Sequence, residues 1–204
     1  MIALVDYGLG NIQAFANIYK RLGIEVRAAS DPADLHRASK IILPGVGAFD
    51  WAMTRLKESG LSEALDEEVL VKKKPVLGVC VGMQMMAQSS EEGILPGLGW
   101  IDAEVKKFSH HNGSGKMQLP HMGWNDVESG DSTDIFQNLP ENQRYYFLHS
   151  YYFAPDKPEE ILARTDYHGQ FASAVRSGNV FGVQFHPEKS HKDGIQLLKN
   201  FAEL

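Results

Sequence analysis

Apolar and polar positions follow two rhythms along this chain, one in each half. In the first half, short apolar runs at 2–5, 25–29, 41–43 and 76–79 read as strands. Between them, stretches at 11–22, 51–58 and 61–72 place apolar residues three or four apart, the period of an amphipathic helix. Strands alternating with helices predict a parallel sheet with both faces covered. In the second half, strand-like runs at 100–108, 116–122, 145–152, 160–165, 171–176 and 179–185 are separated by turns, which predicts antiparallel extensions. A last helix over 192–203, announced by Ser190 and Asp193 as a capping box, would bury Ile195, Leu198 and Phe201. No repeat or linker interrupts the pattern, so 1–204 reads as one α/β domain with a central, mostly parallel sheet flanked by helices. The Gly/Ser-rich segment 109–116 is the best loop candidate.

The single cysteine lies where this pattern switches from strand to helix, in Pro75-Val-Leu-Gly-Val-Cys80-Val-Gly-Met-Gln84. That is a G-x-C-x-G elbow, the thiol counterpart of the G-x-S-x-G turn, and residues 83–88 have helical character. The flanking glycines leave room for a side chain thrust out of a tight turn. A helix start beside Cys80 would favour thiolate over thiol.

A base for such a nucleophile is available downstream in Phe185-His186-Pro187-Glu188. The residue before proline favours extended backbone, so the strand is expected to continue through Glu188. Alternation then places Gln184, His186 and Glu188 on one face, with the carboxylate orienting the imidazole. A third element, Pro44-Gly-Val-Gly47 after the strand 41–43, offers unobstructed N–H groups for a developing oxyanion. Val46, Gly47 and the N–H of Val81 are the candidates.

Composition narrows the function without choosing it. A net charge of −6 gives no electrostatic reason to expect nucleic acid. One cysteine makes no internal disulfide, Asp6 interrupts any signal-peptide run, and no segment approaches membrane-spanning length, so a soluble cytoplasmic chain is expected. Gly8-Leu-Gly10 fails as a dinucleotide fingerprint because Gln13 stands at the third glycine position. His110-His111 lacks metal-ligand spacing. Lys72-Lys-Lys74 reads as a helix C-terminal cluster favoured by the dipole, and Met83-Gln-Met-Met86 as packing behind the elbow.

These pieces, in this order, resemble the class I, triad-type glutamine amidotransferases over essentially the whole chain. Asp6-Tyr-Gly-Leu-Gly-Asn11, Pro44-Gly-Val-Gly-Ala-Phe49, Gly82-Met-Gln84, Pro120-His-Met-Gly-Trp-Asn125 and His149-Ser-Tyr-Tyr152 are similar to the glutaminase-subunit family of imidazole glycerol phosphate synthase. Met83 stands where other members commonly carry histidine. The resemblance implies a flavodoxin-like fold and hydrolysis of L-glutamine, with Cys80, His186 and Glu188 as the triad and with no cofactor or metal. It implies that Gly47, Gln84, Ser150 and Tyr151 hold the substrate. It also implies that His121, Met122, Trp124 and Asn125, in a loop, face a (β/α)8-barrel synthase subunit in a heterodimer. Ammonia passed to that subunit would form imidazole glycerol phosphate and an aminoimidazole carboxamide ribonucleotide in histidine biosynthesis. Val81, where leucine is usual, and the segment 97–104 leave open a paralogous glutaminase serving nucleotide-sugar amidination. A catalytically silent regulatory subunit is a third reading, which the intact Cys80, His186 and Glu188 set argues against.

Overall fold

The solid apolar runs become the buried strands of one face-covered sheet in the computed structural model, which describes residues 1–108, 117–130 and 134–204. The elements run β1 (Ile2–Val5), α1 (Ile12–Leu22), β2 (Val26–Ala29), α2 (Pro32–Arg37), β3 (Lys40–Gly45), α3 (Phe49–Glu58) and α4 (Ser62–Asp66), which leads into a π-helical turn at Glu67–Val71. They continue with β4 (Val76–Cys80), α5 (Val81–Gln84), β5 (Ser89–Ser90), β6 (Ala103–Lys107), β7 (His121–Ser129), β8 (Gln143–His149) and β9 (Tyr151–Pro155). The last are β10 (Ile161–Asp166), β11 (Gln170–Ser177), β12 (Val180–Val183) and α6 (His191–Glu203).

The parallel strands lie in the order β2-β1-β3-β4-β12, a doubly wound arrangement. Beyond β12 the sheet turns antiparallel through β11, β10, β7 and β8, while β6 and β9 attach at the side. The register sets Gly45 beside Cys80 and Val183 beside Val79. Three loops therefore leave the same edge together, after β3, β4 and β12. Ligands of open α/β sheets bind at such carboxyl ends.

Several boundaries differ from the sequence reading. α2 was not foreseen, although Asp31 caps it through the Asp34 N–H at 3.0 Å and Pro32 opens it, a start signal present in the sequence. The run 145–152 is two strands broken at Ser150. The segment expected as a partner-facing loop is the start of the nine-residue β7. The helix expected over 83–88 is a single turn, α5. Ser190 makes no side-chain cap; its hydroxyl donates to the His186 carbonyl at 2.6 Å and accepts from Tyr146 N–H at 3.0 Å. Within α6, Leu198 and Phe201 are buried as expected, but Ile195 is half-buried and Leu197 takes the core place. The loop expected over 109–116, with His110 and His111, lies outside the described residues. Among the described residues no helix is long and apolar enough to cross a membrane.

The lysine cluster at 72–74 has a partner the sequence did not show. Glu68, fully buried on the π turn, receives Lys72 Nζ at 2.7 Å and also pairs with Lys74 and His36. Burial pulls its pKa up, but hydrogen bonds from Lys72, Lys74 and His36 prevail and push it down to about 2. The stability this supplies is complete above the unfolded value near 4.5 and is lost as pH falls through about 2. Glu68→Gln is expected to lower unfolding stability at pH 7 by roughly 1–2 kcal/mol, because it removes the buried charge that Lys72, Lys74 and His36 meet, while Lys72 and His36 keep contact with solvent. Urea titrations at pH 7, 4 and 2.5 should show that deficit shrinking with acid; a constant deficit would assign it to packing alone.

Candidate active site

The elbow forms because β4 stops against backbone it can touch only through glycine. A Cβ on Gly82 would sit 1.9 Å from the Leu43 carbonyl oxygen, so the turn and β3 could not approach with any other residue. Cys80 itself takes φ 56° and ψ −113°, a strained conformation for a residue with a side chain. The packed glycines hold it there. Its Sγ lies 3.8 Å from the Leu148 carbonyl oxygen and receives the Gln184 side-chain amide at 3.9 Å. α5 is too short to supply much dipole, so any cation favouring the thiolate must be a side chain.

That side chain is His186, which reaches the site by a route other than the one expected. β12 ends at Val183, and Pro187–Lys189 is a 3-10 turn, so strand alternation does not bring His186 and Glu188 together. Proline's fixed φ and missing N–H suit the first position of a helical turn, and that preference overrides the extended one. The turn folds Glu188 back, with Oε1 2.9 Å from His186 Nδ1 and side chains 3% and 4% exposed respectively. His186 N–H donates to the Tyr146 carbonyl at 2.9 Å, which ties the turn to β8. Burial alone would push the His186 pKa down. The hydrogen bonds and charges of Cys80 and Glu188 outweigh it and raise the value to about 10. Cys80 and Glu188 therefore both favour the charged form of the ring that stands between them.

Cys80, Val81, His186, Val46, Gly47, Gln84, Ser150 and Tyr151 line one cavity of about 310 Å³, small but of ligand-binding size. Glu188 stands behind His186. Gly47 has φ +89°, and Val46 is exposed beside it. The Tyr7 hydroxyl donates to the Pro44 carbonyl at 2.7 Å and anchors the start of that loop; burial, then the charge of Cys80, raises its pKa. Sequence reasoning missed Glu92, Lys189 and His149, which also stand on the cavity wall among the described residues. Glu92 accepts the Phe49 N–H at 2.8 Å at the start of α3. It carries no sequence signal, because only the fold brings residue 92 to residue 47.

Of the four residues expected at a partner surface, strand alternation separates two from the others. Met122 and Trp124 point outward, 64% and 40% exposed. His121 and Asn125 point inward: His121 is buried, and the Asn125 amide is spent on His121 and the Asp166 carbonyl. Of the four, Met122 and Trp124 are thus the two whose side chains this strand presents outward.

Comparison with known proteins agrees with this arrangement. The family model described as glutamine amidotransferase class-I matches residues 3–204. The chain is 56% identical over 204 residues to imidazole glycerol phosphate synthase subunit HisH of Bdellovibrio bacteriovorus, and 48% identical to that of Leptospira interrogans, covering 100% of each chain. Among solved structures, a glutamine amidotransferase aligns with a TM-score of 0.75 at 22% identity, covering 100% of this chain and 99% of that one. PurLQS from Thermotoga maritima aligns with a TM-score of 0.70 at 19% identity, covering 99% and 97%. Those two likenesses show the fold. The elbow, the His–Glu turn and the doubly wound sheet are thus features of a class I glutamine amidotransferase. Within that class, the chain belongs to the HisH family of imidazole glycerol phosphate synthase subunits.

Proposed function

We propose that the chain hydrolyses the side-chain amide of L-glutamine with Cys80 as nucleophile, His186 as acid and base, and Glu188 as orienter. The observation that carries this is the strained Cys80 sharing one cavity with a histidine whose Nδ1 lies 2.9 Å from the Glu188 carboxylate. The thiolate attacks the carboxamide carbon, and N–H groups of Val46 or Gly47 and of Val81 meet the oxyanion. His186 gives its proton to the departing ammonia, leaving a glutamyl thioester. It then takes a proton from water, whose attack releases glutamate and restores the thiol pair. Glu92, a carboxylate on the wall, suits the substrate ammonium, with Gln84, Ser150 and Tyr151 shaping the rest of the cavity.

Ammonia set free in water is protonated and lost, so it must pass directly to an acceptor. The acceptor is a (β/α)8-barrel synthase subunit in a heterodimer, working in cytoplasmic histidine biosynthesis, where a lone thiol stays reduced. Met122 pairs with Leu148 across β7 and β8, and Trp124 pairs with Tyr146. Met122, Trp124 and Leu148 form an exposed apolar surface, and Leu148 also lines the cavity, so docking there would cover its mouth.

The isolated chain is expected to be nearly idle. Gly47, with φ +89° and no crowding at the position of a Cβ, makes peptide rotation beside exposed Val46 inexpensive, so an oxyanion donor can be turned away until a partner binds. One such donor is worth ~10²–10³ in turnover. Glutamate release should rise by about that factor from chain alone to complex with acceptor ligand. Equal rates would refute the gating, and no release in any state would refute the hydrolase reading.

A further inference from the structure

Beside the cavity, two buried histidines on neighbouring strands form a pair to which the chemistry above gives no role. His121 and His149 face each other across β7 and β8, with Nδ1 of the first 2.9 Å from Nε2 of the second. Their protons can be placed from the partners at either end. His149 Nδ1 lies 2.8 Å from the Tyr151 carbonyl oxygen, which can only accept, so this nitrogen carries hydrogen. In a neutral ring Nε2 is then bare and accepts from His121 Nδ1. That leaves His121 Nε2 bare, 3.2 Å from the Asn125 amide nitrogen. The far end agrees independently. Asn125 Oδ1 accepts the Asp126 N–H at 2.8 Å and Nδ2 donates to the Asp166 carbonyl at 2.9 Å, so the amide is oriented to give its other hydrogen to His121. Burial keeps both rings neutral, holding His121 at about 4 and His149 at about 3.

The same line continues toward the thiol. The Tyr151 carbonyl also accepts from Gln84 Nε2 at 3.0 Å, and that nitrogen donates in addition to Gln184 Oε1 at 3.0 Å. Gln184 in turn donates to Cys80 Sγ at 3.9 Å. We infer that Asn125, His121 and His149 are positioning residues. They fix the Tyr151 carbonyl, and through it the Gln84 and Gln184 amides that hold the nucleophile, and they tie that assembly to the strand carrying Met122 and Trp124. The inference rests on Cys80 being the nucleophile.

His121→Phe tests it with little change of shape, since the ring stacks between Phe147 at 4.7 Å and Tyr167 at 3.9 Å and phenylalanine can keep both contacts. In the complex with the synthase subunit, glutamine-dependent kcat per titrated active site should fall about 10-fold with KM little changed. Ammonia-dependent synthesis should be unchanged. Asn125→Asp, nearly the same shape but able only to accept, should lower kcat likewise, and it carries the test if His121→Phe fails to fold. Ring ¹⁵N spectra of the wild-type chain between pH 6 and 8 should show hydrogen on Nδ1 and none on Nε2 for both histidines. A folded His121→Phe with wild-type kcat, or hydrogen on Nε2 of either ring, would overturn the inference. Absence of glutamate release by the wild-type complex would instead refute the hydrolase reading, and the ring spectra would still decide the proton placement.

Discussion

Cys80→Ser is expected to abolish glutamine hydrolysis, by roughly 10³-fold or more, while the complex keeps its ammonia-dependent synthesis. A serine hydroxyl is far harder to ionise than a thiol, so the same histidine activates it far less. The fold should be indifferent. Oxygen fits the space of sulfur, and the strained φ of 56° is enforced by the packing of Gly82 on Leu43, which the substitution leaves alone. Glutamate release and ammonia-dependent turnover measured on one preparation decide the matter. Glutaminase activity near the wild-type rate would remove Cys80 from the chemistry, and loss of both activities would point to a disrupted complex.

Glu188→Gln is expected to lower turnover by roughly 10²–10³-fold, less than His186→Ala. Both side chains of the pair are almost wholly buried, so solvent cannot replace the lost charge. An amide at this position can also present its NH₂ to the ring and turn it toward the wrong tautomer. The pH dependence of stability carries a second signature. His186 is raised from 6.5 to about 10 in the folded chain, so the stability from its imidazolium is complete below pH 6.5 and is lost as pH rises through about 10. In Glu188→Gln one of the two groups that raise it is gone, so unfolding midpoints should decline less between pH 6 and 10.5 than in the wild type. An identical decline, with unchanged turnover, would show that another group orients the imidazole.

Much of this was legible in the order of residues. Period and runs sufficed for β1, β3 and β4 and for α1 and α3, because a strand buried on both faces needs an unbroken apolar stretch, and a covering helix needs apolar residues on one side only. G-x-C-x-G was legible as an elbow for a similarly local reason: the glycines answer to contacts within one turn and one neighbouring strand. The proximity of His186 and Glu188 was anticipated, though by the wrong geometry, since a proline-started turn does what strand alternation was expected to do. The family motifs pointed to the pathway, and the relatives over the full chain agree.

Other features existed only once distant segments met. Glu92 has no motif, and nothing near it in the sequence distinguishes it from a solvated surface carboxylate until the α3 start and the Gly47 loop close around it. Glu68 meets His36 of α2 as well as the neighbouring Lys72 and Lys74, and the strength of those contacts depends on a burial of the carboxylate that no local pattern reports. His121 and Asn125 were expected at a surface because they flank Trp124. The pairing of β7 with β8 decided that they face inward, since on a strand every neighbour of an outward residue points the other way. Sequence alone could determine the strand-and-helix alternation and the elbow, because each depends on spacing along the backbone. Tertiary structure decided which charges are buried, which histidines are neutral and which residues share the cavity, because desolvation and hydrogen bonding depend on neighbours distant in the chain.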